Sequence, residues 1–201
     1  MKWKIYIENY VQMEDYLMND LQMKEIELGK KLGLDISVYT KPEFNNLQMA
    51  TIRTGLQKGL DVTEYANPAF DSEQMYLIMY GMCSGVDYKV YSKLDKNGKA
   101  VFTDKQMNQI YLGLEFNVDV SSFAKPEYDE EQMMQIRIGL VTERDTSIYA
   151  KPEFTGEQMR WIRLGLSRGL DVSSYAKPEL TPNEMEDIFK QLKEESITSN
   201  K

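Results

Sequence analysis

Apolar residues recur along this chain at intervals of three and four, not two. Met49, Ile52, Leu56 and Leu60 are spaced by 3, 4 and 4 residues, which lines them up on one side of a helix rather than on alternate faces of a strand. The stripe predicts a short amphipathic helix. Gly59 follows as a residue suited to a left-handed C′ position, with Leu60 folding back on the last turn, and Gly33, Gly85 and Gly169 hold the same place. In the fourth copy of the pattern that place is Asn117, the next residue type to tolerate positive φ. An Asp-Val-Ser/Thr phrase comes next. Asp61 can cap a very short second helix, and Asp35, Asp87, Asp119, Asp145 and Asp171 occupy the same slot. Pro42, Pro68, Pro126, Pro152 and Pro178 stop that turn, because the residue before proline is pushed out of the helical region. Phe44, Phe70, Phe102, Tyr128 and Phe154 supply one more apolar anchor before Asp71, Asp129 or Thr155 caps the next long helix.

The pattern is a tandem repeat. The pair Gln-Met begins at residues 22, 48, 74, 106, 132 and 158, and Glu184-Met185 echoes it; the interval is 26 residues except between 74 and 106, where it is 32. A helix this short is marginal alone in water, so each unit must stack on its neighbours. The expected fold is all-α: a right-handed-type α-solenoid of short helix–turn–helical-turn repeats, with a small hairpin-like insertion in the third repeat. Residues 1–20 are out of phase and read as an N-terminal cap, in which Trp3, Ile5 and Ile7 alternate as a strand would. Six repeats follow over 21–182 (21–46, 47–72, 73–104, 105–130, 131–156 and 157–182), then a capping helix and polar tail over 183–201, with Met185, Ile188 and Leu192 inward and the tail from Ser196 frayed.

Departures from the pattern are where a special function is expected. The insertion at 95–100 carries Asn97-Gly98, a type I′ hairpin signal. Asp95-Lys96-Asn97-Gly98 lacks the third acidic position and the terminal glutamate of a calcium loop. Arg53, Arg137 and Arg163 flank the apolar stripe and are expected to pair with an aspartate or glutamate of an adjacent repeat. In the third and fourth repeats that column becomes Met79 and Tyr111, and Tyr76, Tyr80, Tyr88 and Phe116 add aromatic area. These residues, with Asn97 of the insertion, are the candidate protein-binding set; the alternative is that they repack the stack around the insertion. The fifth repeat has Glu143-Arg144 in place of Gly-Leu, which predicts a broken turn.

Composition narrows the chemistry. The chain has no histidine and one cysteine, Cys83, so neither a Cys-His nucleophile nor a structural zinc site can be assembled within it. No phosphate loop is present: each Gly-Leu-x-x-Gly-Leu lies at a helix end and lacks the lysine. No catalytic, cofactor-binding or metal-binding residues are assigned, no cofactor is expected, and the reading is non-enzymatic. The net charge of −8 argues against direct nucleic-acid binding and leaves a protein as the partner. No run approaches a membrane span, the lone cysteine suits a reducing compartment, and the expected localisation is cytoplasmic.

The phrase QMxxIRxGLxxGLDVSxYAKPEF, carried from Leu21 to Pro182, resembles the tandem helical repeats of proteins from low-GC Gram-positive bacteria, their phages and conjugative elements. The resemblance implies no settled activity and no functional residues. The expected function is a protein-protein interaction scaffold. The alternatives are a phage or mobile-element inhibitor of a host nucleic-acid-handling defence complex, acting through its acidic surface, and a self-associating structural protein.

Overall fold

Seven α-helices make up the described residues, 18–199, of the computed structural model: α1 (Asp20–Lys31), α2 (Asn46–Gln57), α3 (Ser72–Ser84), α4 (Asp104–Glu115), α5 (Glu130–Val141), α6 (Gly156–Ser167) and α7 (Pro182–Ser199). Among those residues there is no strand, and the protein is all-helical. The short second helix of the first five repeats is a single 3₁₀ turn, at Ile36–Val38, Val62–Glu64, Tyr88–Val90, Val120–Ser122 and Thr146–Ile148, and in the sixth it is a turn over 173–175. The expected cap lies outside the described residues up to residue 17, while Asn19 already caps α1. At the other end α7 continues to Ser199 instead of fraying at Ser196.

Each long helix begins the same way. Asn19, Asn45, Asp71, Thr103, Asp129, Thr155 and Thr181 accept the N–H of the residue three positions on, whose own side chain accepts the N–H of the cap. This reciprocal box satisfies two of the donors that a helix start leaves without intrahelical partners. The ends are equally regular. In α2, Leu60 N–H donates to Gly55 O and Gly59 N–H to Leu56 O, both at 3.0 Å, with Gly59 at φ +74°. That is the Schellman arrangement, and Asn117 adopts it at φ +54°.

The fifth repeat does not break. Glu143 takes φ +54°, its N–H reaches Leu140 O at 3.0 Å, and Arg144 N–H reaches Gly139 O at 2.9 Å. The sequence expectation fails here because the bonds that close the helix involve only backbone atoms, so a side chain at this position costs strain without removing the turn. The hairpin turn also differs from expectation. Gly98 N–H donates to Asp95 O and Asp95 N–H to Lys99 O, Gly98 has φ +75°, and neither Lys96 nor Asn97 has positive φ. A type I′ turn requires positive φ at both central residues; this is a three-residue loop closed by a left-handed glycine. Beyond it Leu94 and Ala100 form one antiparallel bridge.

The described residues form two compact units, one of 18–83 with 94–100, the other of 84–93 with 101–199. In the first, α1 packs on α2 over a core that includes Ile26, Met49 and Ile52. In the second, α4, α5, α6 and α7 pack in succession over Met107, Ile110, Met133, Ile136, Met159, Ile162 and Met185, all fully buried. Phe189 of α7 is buried too, while Ile188 is half-buried.

Candidate binding surface

The residues that recur in every repeat are occupied in holding helix to helix. Gln48 is buried; its Oε1 accepts the Asn45 N–H, and its Nε2 donates to Phe70 O at 2.7 Å. Gln22, Gln106, Gln132 and Gln158 reach the carbonyls of Phe44, Tyr128, Phe154 and Leu180 in the same way, 22 residues on, at 2.6 to 2.7 Å. One amide therefore ties the start of a helix to the loop that leads into the next. Tyr39, Tyr65, Tyr149 and Tyr175 are fully buried and donate to the carbonyl 14 residues earlier, at 3.3 to 3.4 Å. Burial pushes the Tyr175 phenol up to about 12 and raises those of Tyr65, Tyr91 and Tyr149 further. Four exposed aspartates of the recurring aspartate column are shifted the other way. Asp35, Asp61 and Asp119 are lowered by bonds from the hydroxyl and N–H of Ser37, Thr63 and Ser121, and Asp171 by the N–H and hydroxyl of Ser173.

Function has to be sought at the positions that change from repeat to repeat. In the first unit, Tyr76 and Tyr80 stand one turn apart on the outer face of α3, 51% and 42% exposed, with rings stacked at 5.9 Å and 12°. Met79, between them in sequence, is buried. Asn97 is exposed in the hairpin turn, but its N–H donates to Asp95 Oδ1 at 2.8 Å, so its role there is in the turn. In the second unit Tyr111 is buried; its hydroxyl donates to Glu115 Oε1 at 2.8 Å and lies 3.4 Å from Ser84 Oγ. Tyr88 is half-buried in its 3₁₀ turn, and Phe116, at the C-cap of α4, is 55% exposed. The candidate set is thus split. Tyr76, Tyr80 and Phe116 offer surface, whereas Met79 and Tyr111 fill the interior.

A second variable feature was not legible as a site. Residues 28 apart meet in the seam between consecutive helices: Glu25 with Arg53, Gln109 with Arg137, Gln135 with Arg163, and Trp161 with Phe189. Only the first of these is an ion pair, at 2.8 Å between half-buried side chains. The expected carboxylate partners of Arg137 and Arg163 are glutamines, at 3.0 and 2.8 Å from the two Nε atoms. Burial lowers both arginines from their ordinary value. The offset of 28 differs from the 26-residue repeat and is set by the packing of one helix on the next, so no signal in the sequence marks these pairs.

Among the described residues no group of three or more acidic or cysteine side chains is placed to hold a metal ion, and no helix is long and apolar enough to cross a membrane. The class defined by these observations is an all-helical protein with capped, near-identical helices. No family model, curated protein or solved structure matches the chain.

Proposed function

We propose that the protein is a non-enzymatic, cytoplasmic scaffold for protein-protein interaction, its helical repeats stacked as a right-handed α-solenoid. The exposed stack of Tyr76 on Tyr80 carries this reading. Two large rings held parallel on a helix face keep little conformational freedom to lose on binding, and tyrosine buries apolar area while offering a hydroxyl at the rim. The repeated residues support it from the other side: glutamine, tyrosine and aspartate are engaged in caps and inter-helix bonds, which leaves variable outer positions for recognition.

The test is affinity capture from a lysate of the native host with the intact protein and with a Tyr76→Ala, Tyr80→Ala variant shown by circular dichroism to be folded. Tyr111 is left unchanged because it is buried. A partner held by the intact protein and lost by the variant is the expected result; equal retention removes the tyrosine pair from the interface. Small-angle scattering tests the solenoid, which requires a maximum dimension well beyond that of a sphere of equal mass.

A further inference from the structure

The outer face of α5 differs from the outer faces of the other helices in the second unit. Met134, Ile138 and Val141 follow one another at intervals of four and three, so they share a side of the helix, yet that side is not the core: Met134 and Ile138 are half-buried and Val141 is 37% exposed. The equivalent residues of α4 are Asn108, Leu112 and Glu115, and those of α6 are Arg160, Leu164 and Ser167, each with polar residues beside one leucine. The α5 stripe is flanked by the two seams in which arginine meets an amide. Arg137 lies toward α4, held by Gln109, and Arg163 lies across the next seam, held by Gln135. In both, Nε makes the bond to glutamine, and neither guanidinium forms an ion pair among the described residues. Glu131 stands one amide further away, accepting from Gln135 Nε2 at 2.7 Å, and Arg160 adds a like charge beside Arg163.

A half-buried guanidinium costs desolvation that an amide oxygen offsets less well than a carboxylate does. The same fold supplies the carboxylate elsewhere, since Glu25 occupies in the first unit the place that Gln109 and Gln135 occupy here. We propose that the apolar stripe Met134–Ile138–Val141, bracketed by the uncompensated Arg137 and Arg163, is a docking site for an acidic amphipathic segment of a protein partner. Its apolar side chains lie on the stripe and its carboxylates meet the free edges of the two guanidiniums. Charge complementarity selects this occupant. A nucleic acid offers no apolar face for the stripe, and its continuous line of phosphates calls for a run of cations that two arginines do not supply. The site lies wholly in the second unit and does not depend on Tyr76 and Tyr80 being contacts.

The experiment is fluorescence anisotropy at low salt with three labelled probes. One is a helical peptide of about 14 residues with leucines at helical spacing and flanking glutamates, one the same peptide with lysines for glutamates, and one a single-stranded DNA of similar length. The intact protein is expected to bind the acidic peptide in preference to the other two. Arg137→Gln with Arg163→Gln weakens that binding at least about tenfold. Gln109→Glu, which gives Arg137 an internal carboxylate as Glu25 gives Arg53, also weakens it while melting no lower than the intact protein, so the loss is not unfolding; Gln135 is left unchanged because its amide donates to Glu131. The Tyr76→Ala, Tyr80→Ala variant keeps it. Absence of binding to the acidic peptide, equal binding of the lysine peptide, preference for DNA, or unchanged affinity in the glutamate variant each overturns the proposal.

Discussion

The hydroxyl of Tyr65 lies where a methyl group on Gly55 would stand. Helix α2 therefore carries a glycine at a buried interior position, where alanine would favour the helix by about 1 kcal/mol. Gly29 with Tyr39, Gly139 with Tyr149 and Gly165 with Tyr175 repeat the arrangement. Gly55→Ala is expected to destabilise by about 1–3 kcal/mol despite the gain in propensity, because the ring has no room to shift in a packed core. Urea unfolding measures it. Adding Tyr65→Phe should recover part of the loss; an unchanged double variant would show that the clash is not with the hydroxyl.

Glutamine and glutamate are not interchangeable in the capping column. Gln132 must donate to Phe154 O at 2.6 Å, while Glu184 in α7 is exposed and only accepts, from the N–H and hydroxyl of Thr181. Gln132→Glu should therefore cost about 1–3 kcal/mol at neutral pH, with a carboxylate facing a carbonyl, and Glu184→Gln close to nothing. The loss in Gln132→Glu should shrink in acid, since a protonated carboxyl can donate. A cost that is independent of pH would count against this account.

Glu143 occupies a conformation that side chains rarely adopt, at φ +54°. Glu143→Gly is expected to stabilise by about 1 kcal/mol, with Asn117→Gly giving less because asparagine tolerates that region better. Thermal melts of the two single variants settle the order.

Stability should fall at both ends of the pH scale. The folded-state pKa values of Asp35, Asp61, Asp119 and Asp171 are depressed, so their contribution is complete above the unfolded value of about 3.9 and is lost as pH falls through the folded values. Those of Tyr65, Tyr149 and Tyr175 are raised, so their contribution is complete below about 10 and is lost as pH rises toward the folded value, about 12 for Tyr175. Melting temperature followed from pH 2 to 11 should show a plateau between these limits. Replacing the four aspartates by asparagine should flatten the acid side and leave the alkaline side unchanged.

Helix starts, helix ends and the core stripe could be read from the chain because their causes are local. A cap is separated from its partner by three residues, a left-handed closure by three and five, and the Met and Ile stripe by helical periodicity; Asp71, Asn117 and Met49 all stand as those rules require. The repeat made the reading firmer by restating each signal. Glu143 shows the limit, since backbone bonds held a turn that its side chain argues against.

What lies between helices was decided elsewhere. Tyr76 and Met79 are three residues apart on α3, and their sequence context does not say that the first is exposed and the second buried. Nor does it say that Arg163 finds Gln135 while Arg53 finds Glu25, 28 residues earlier in each case. Those outcomes depend on how far one helix is offset and rotated on the next. Only packing of the assembled helices sets that offset, because no short-range bond or dihedral preference spans the seam.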